Sequence, residues 1–279
     1  MRGHLQEGRG WLEPILALPE TAAPTALRAQ VLRGTGVIAW MQGAFVDAQT
    51  LFAEALQILA QLGDEHGTAR VLNNLGVVFY LQQDYDRAEQ TLRRGLELFR
   101  GLDDESNIAR TLGNLGIVAY MRGEFDGARQ TCEAVLEHFQ ALDDVWGIAV
   151  SHNNLARVLC SQGRYTEALA HYRTGIDLAH QNGARRLLAS LFEGLARTFT
   201  YAGDPLCAAT LWGTADTLRT TLGAPRETVD DTDYEPSVHA ARTATRDTLF
   251  RRAWDKGQRA ALGDTVSFAL THNVSQTSS

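Results

Sequence analysis

Arginine, asparagine and aromatic residues recur along one stripe of this sequence, and their side chains share one chemistry. The stretch from Arg70 to Tyr80 reads RVLNNLGVVFY. Arg70, Asn73, Val77 and Tyr80 fall at helical spacing, on one face. Asparagine is a poor helix former, and each amide brings two donors and an acceptor that need partners. Stepping by 40 residues from these positions gives five columns. They read Gln30, Arg70, Arg110, Val150, Ser190; Arg33, Asn73, Gly113, Asn153, Glu193; Gly34, Asn74, Asn114, Asn154, Gly194; Val37, Val77, Ile117, Arg157, Arg197; and Trp40, Tyr80, Tyr120, Cys160, Thr200. Amides can pair with a peptide backbone, arginines with carboxylates, and aromatic rings with side chains. Such a stripe suits an extended peptide or an acidic segment. The column of Asn74, Asn114 and Asn154 has an equal structural reading, in which it bonds the adjacent repeat beside the packed Leu75 column.

Other chemistry is not expected. The sequence contains no GxxxxGK[ST], GxSxG or HExxH, and Lys256 is its one lysine, so a phosphate-binding P-loop is excluded. Gly34 and Gly36 lack the third glycine and the preceding strand of a dinucleotide loop. The eight histidines are scattered, with His152 read as a surface or groove residue and no His/Cys/Asp/Glu set at metal-ligand spacing. Cys132 falls in a core column and Cys160 in the column of Trp40, Tyr80 and Tyr120, and both are expected to be inert packing or groove-wall thiols. The acid pairs Asp103-Asp104 and Asp143-Asp144 recur at one turn of the repeat, which reads as helix capping on a solvated edge. No enzyme activity, cofactor or metal is expected.

Composition narrows the partner class. The formal net charge of -7 argues against nucleic-acid binding by a general basic face. No run of about 18 apolar residues is present, so no membrane helix is expected. The opening residues lack an apolar signal-peptide core. Three cysteines, an odd number without a CxxC, read as reduced thiols in a cytoplasmic protein.

The elements that must position the stripe follow from the 40-residue step. Gly36, Gly76, Gly116, Ala156 and Ala196 form one small column; Ala48, Ala88, Ala128, Ala168 and Ala208 form another. Phe45, Tyr85, Phe125 and Tyr165 form an aromatic column, and Leu56, Leu96, Leu136 and Ile176 an aliphatic one. Each unit holds two amphipathic stretches, about 68–82 and 85–102 in the best-formed unit. Gly76 and Ala88 let the two helices approach closely, and the aromatic at 85 fills the gap beside them. Gly43, Gly123, Gly163 and Gly203 mark the turn, with Gln83 as the exception.

The motif L-G-x-x-F/Y (Leu75, Gly76, Phe79; Leu115, Gly116), with a small residue twelve later (Ala88, Ala128), resembles the tetratricopeptide repeat in a 40-residue form. This covers about 220 residues. It implies an all-α fold, a right-handed α-solenoid of antiparallel helix pairs, closed by a C-terminal helical cap. The expected boundaries are an array over 1–222 (half repeat 1–20, then repeats near 27–62, 67–102, 107–142, 147–182 and 185–222), a loop over 223–236, capping helices over 237–271 and a disordered tail over 272–279. One long helix is expected over 235–258 and a short one over 263–270.

The resemblance also implies that the first helices line a concave face. Arg33, Trp40, Arg70, Asn73, Asn74, Tyr80, Arg110, Asn114, Tyr120, Asn153, Asn154, Arg157 and Arg197 are then the candidate groove. Leu211-Trp212-Gly213, Leu222-Gly223-Ala224-Pro225, Tyr234 and Ala253-Trp254 resemble the C-terminal region of bacterial LuxR- or SARP-type regulators, where an ATPase and a DNA-binding domain precede a repeat array. The half repeat at 1–20 reads as a cut from a longer protein, and as a route to self-association. The expected function is protein or peptide binding within a signalling or transcription regulator. The alternatives are small-molecule sensing in the same groove, or a truncated remnant without an independent role.

Overall fold

The computed structural model describes residues 10–11, 23–224, 226 and 228–272, with side chains from 233 onward in the helix that starts at Thr228. The expected half repeat over 1–20 lies outside these residues except at Gly10 and Trp11, and the expected tail lies outside them beyond His272. Between Ala26 and Thr271 the described residues are all-α. Ten helices come first: α1 (Ala26–Met41) pairs antiparallel with α2 (Phe45–Leu62) and α3 (Glu65–Leu81) with α4 (Tyr85–Gly101), then come α5 (Glu105–Met121) and α6 (Phe125–Ala141), and α7 (Val145–Ser161) pairs with α8 (Tyr165–Gln181) and α9 (Arg185–Tyr201) with α10 (Pro205–Leu222). Three more follow: α11 (Thr228–Thr243), α12 (Asp247–Arg259) and α13 (Leu262–Thr271). The chain forms two compact units, Met1–Arg122 and Gly123–Ser279.

Several helices start where the sequence supplies a side-chain cap. Asp64, Asp104 and Asp144 accept hydrogen bonds from the backbone N–H of Gly67, Asn107 and Gly147 at 2.7, 3.1 and 2.9 Å, satisfying donors a helix N-terminus leaves open. Asp104 also accepts from Asn107 Nδ2 at 2.7 Å and contacts His66 Nε2 at 2.9 Å. Burial works to raise its pKa, but these bonds outweigh it and hold the carboxyl below its ordinary value.

In the first unit, α1, α3 and α5 touch in series, and each pairs with or abuts a second helix. A Cβ on Gly76 would come 2.5 Å from Leu92 Cγ and 3.4 Å from the Ala88 carbonyl, so the small column is required by close approach. Tyr85 packs beside that contact. The turn between α3 and α4 keeps a left-handed conformation at Gln83 (φ 64°), where the neighbouring turns use glycine.

In the second unit, α7, α8, α9 and α10 stack in turn, with α11 against α9, α12 against α10 and α13 against α8. Gly213 and Gly257 mark the crossing of α10 and α12: a Cβ on either would strike the other helix's backbone, at Trp254 and Thr210 respectively. Two expectations are corrected here. The segment expected as a loop up to 236 is helical from Thr228, with Pro236 inside the helix. The expected single helix over 235–258 is two helices, broken between Thr243 and Asp247.

Candidate functional site

In the first unit the predicted residues fall on α1, α3 and α5. Burial, then the charges of Arg70 and Arg110, hold the Arg33 guanidinium below its ordinary pKa. Three arginines from three successive first helices therefore share one electrostatic neighbourhood. Arg70 and Arg110 are exposed and Arg33 is half-buried. Many other arginines of this chain have carboxylate partners, such as Arg28 with Glu54 at 2.6 Å and Arg122 with Glu89 at 2.5 Å. Among the described residues no ion pair is formed by Arg33, Arg70 or Arg110.

The asparagines divide by partner. Asn114 Nδ2 donates to Asn73 Oδ1 at 2.9 Å, a side-chain bond across 41 residues. The same offset from Asn74 leads back to Arg33, whose guanidinium can only donate. Asn74 Nδ2 is buried without a partner among the described residues, and so is Trp40 Nε1. The amide column thus bonds a side chain of the adjacent repeat at Asn114 and leaves a buried donor open at Asn74. Tyr80 is half-buried and Tyr120 buried. The first unit's face therefore offers three guanidiniums, whereas the open amide N–H of Asn74 and indole N–H of Trp40 are buried.

The second unit treats its equivalents differently. Asn153 and Arg157 are buried on α7, Asn154 is half-buried beside them, and Asn153 Oδ1 has no partner among the described residues. Arg197, on α9, pairs with Asp233 at 2.9 Å and donates to Ser161 Oγ at 3.0 Å. Glu193, in the column of Arg33 and Asn73, is buried between Arg219 and Arg226 at 2.6 and 2.9 Å. Arg226 lies 3.5 Å over the Tyr234 ring, whose edge meets Trp212 at 6.1 Å. Arg157, Tyr172, Glu193, Arg197, Asp233 and Tyr234 line a small pocket of about 20 Å³, room for about one water. Here α11 supplies acid and aromatic partners to the candidate residues.

Sequence reasoning missed this cover. Glu193 was the available signal, since an acid in a column of cations and amides demands buried cations. His152 is a second correction: it was read as a surface or groove residue, but it is buried in the column of Leu32, Leu72, Leu112 and Phe192. Its Nδ1 lies 2.8 Å from Nδ1 of His171. Burial, then His171, lowers its pKa to about 4. Cys132 is buried, which pushes its thiol up to about 12. No described helix is long and apolar enough to cross a membrane.

The tetratricopeptide repeat profile matches residues 27–101, 107–179 and 147–211. No curated protein matches the chain in sequence. Solved structures do match in fold. BtubC (BKLC) from P. vanneervenii is 20% identical, with a TM-score of 0.58, covering 80% of this chain and 89% of its own. A Rap protein complexed with Competence and Sporulation Factor is 15% identical, with a TM-score of 0.61 and coverage of 92% and 76%. The Rap conjugation gene regulator of plasmid pLS20, in complex with the Phr* peptide, is 16% identical, with a TM-score of 0.58 and coverage of 88% and 69%.

Proposed function

For a chain that belongs to the tetratricopeptide-repeat family, we propose the role of a protein- or peptide-binding module, the interaction or sensor part of a bacterial signalling or transcription regulator. The ligand face is the one formed by α1, α3 and α5. One observation carries this reading: the charges of Arg70 and Arg110 act on Arg33, and none of the three forms an ion pair among the described residues. Gathering like charges disfavours the fold locally, unless an incoming anion compensates. In the second unit Asp233 already meets Arg197, so the first unit offers the freer arginines. The two Rap structures are complexes, one with Competence and Sporulation Factor and the other with the Phr* peptide, which agrees with this reading by analogy of fold only.

The LuxR- or SARP-type context of the sequence resemblance belongs to this proposal, as does a cytoplasmic location. Arg70→Glu combined with Arg110→Glu is expected to abolish capture of a partner from cell extract while the far-ultraviolet helical signal stays unchanged. Capture at the wild-type level by the folded double variant would overturn the reading.

A further inference from the structure

A cluster in the second unit brings three metal-binding side chains to one point. Asp204 caps α10, its Oδ1 accepting the backbone N–H of Cys207 at 3.0 Å. Its Oδ2 lies 2.8 Å from Nε2 of His272, which follows α13. The Asp204 carboxylate, Cys207 Sγ and His272 Nε2 all lie within 4.8 Å of one another. We propose that Asp204, Cys207 and His272 form a binding site for a divalent transition-metal ion of the zinc class, pinning the end of the chain onto its last repeat.

Ligand chemistry supports the assignment. A thiolate, an imidazole and a carboxylate are zinc's own ligand types, and three protein ligands leave a fourth position for water. Bonds of about 2.0–2.3 Å in a tetrahedron place donor atoms roughly 3.3–3.8 Å apart. The observed separations need adjust by only about 1 Å to meet this. One thiolate and one carboxylate neutralise a dication, with His272 bound as neutral imidazole. Binding replaces the Asp204–His272 contact and releases the thiol proton to solvent.

Two features of the fold make the cluster more than an accidental meeting. The position of Cys207 is taken in the preceding repeats by Asp47, Arg87, Gly127 and Glu167, all exposed, whereas Cys207 is buried. The repeat itself therefore does not call for a cysteine here. His272 is also held in place. Its ring lies 5.5 Å from that of Phe199 and 4.8 Å from that of Phe268. Arg173 donates to the carbonyl oxygens of Ala269, at 3.3 Å, and of His272. Outer contacts of this kind fix the orientation of a ligating imidazole. Two of the ligands sit three residues apart and the third 65 residues later, which is why metal spacing was not legible in the sequence.

Cobalt tests the site directly. Chelator-treated, reduced full-length protein titrated with Co²⁺ is expected to develop a thiolate-to-cobalt charge-transfer band and the visible bands of a tetrahedral site. One equivalent of Zn²⁺ should bleach them. His272→Ala should weaken binding at least tenfold and Cys207→Ser should remove the charge-transfer band. Cys132→Ser and Cys160→Ser should leave it in place. His272→Ala changes only a partly exposed ring, so it remains informative if Cys207→Ser fails to fold. No charge-transfer band with folded wild-type protein, or a band unchanged in His272→Ala, would overturn the proposal.

Discussion

Asn114 reaches back one repeat to Asn73, its Nδ2 donating to Oδ1 at 2.9 Å between α5 and α3. This bond couples two neighbouring first helices through side chains alone, at half-buried positions. It gives the amides a structural task next to the arginines they accompany.

Removing one amide should therefore strand the other. Asn73→Ala or Asn114→Ala is expected to cost about 1–2 kcal/mol of stability, and the double variant less than the sum. A double-mutant cycle by urea unfolding measures the coupling. Strictly additive losses would show that the bond contributes nothing.

The arginine cluster predicts a trade between stability and binding. Arg110→Gln relieves repulsion on Arg33, whose pKa is lowered by burial and by its two arginine neighbours. The gain should be modest, a few tenths of a kcal/mol, because Arg70 and Arg110 are exposed and screened. The same change should weaken partner capture, the usual cost of stabilising a binding surface. Thermal unfolding at low and high salt checks the sign: the variant's advantage should shrink as salt rises.

Acid should weaken the second unit through a buried pair. Burial, then His171, holds His152 down to about 4, and burial also lowers His171. In the unfolded chain both rings titrate near the ordinary value of about 6.5. As pH falls below that value the unfolded state takes up protons first. Stability should then decline from about pH 6.5 to about pH 4, by on the order of 2 kcal/mol. His152→Leu, the residue of three earlier repeats, should flatten that slope. Chemical denaturation across this pH range reads it out, and an unchanged slope in the variant would contradict the assignment.

Much of the fold was legible because the 40-residue step repeats physical requirements along with letters. Gly76 recurs because a Cβ would strike Leu92. Asp64, Asp104 and Asp144 recur because a helix N-terminus needs an acceptor. Gln83 departs from the glycine column yet adopts its left-handed backbone, so the turn overrides local preference.

What the columns could not carry is contact between distant segments. The acids and Pro236 of the segment after Leu222 read as a loop, since proline removes an N–H from a helix. In the structure Asp233 pairs with Arg197 and Tyr234 lies under Arg226. Those contacts hold α11 on α9, and tertiary packing outweighs propensity. The same long-range cover engages Arg197 in the second unit, whereas Arg33, Arg70 and Arg110 of the first form no ion pair among the described residues.

The central claim, that a partner lies on the face of α1, α3 and α5, is tested most directly by site-specific photo-crosslinking. A benzophenone side chain placed at Tyr80, on α3, is compared with one at Arg94, exposed on the second helix α4. Crosslinks to the captured partner from position 80 and none from position 94 are the predicted result. Crosslinks from position 94 with none from position 80 would contradict it.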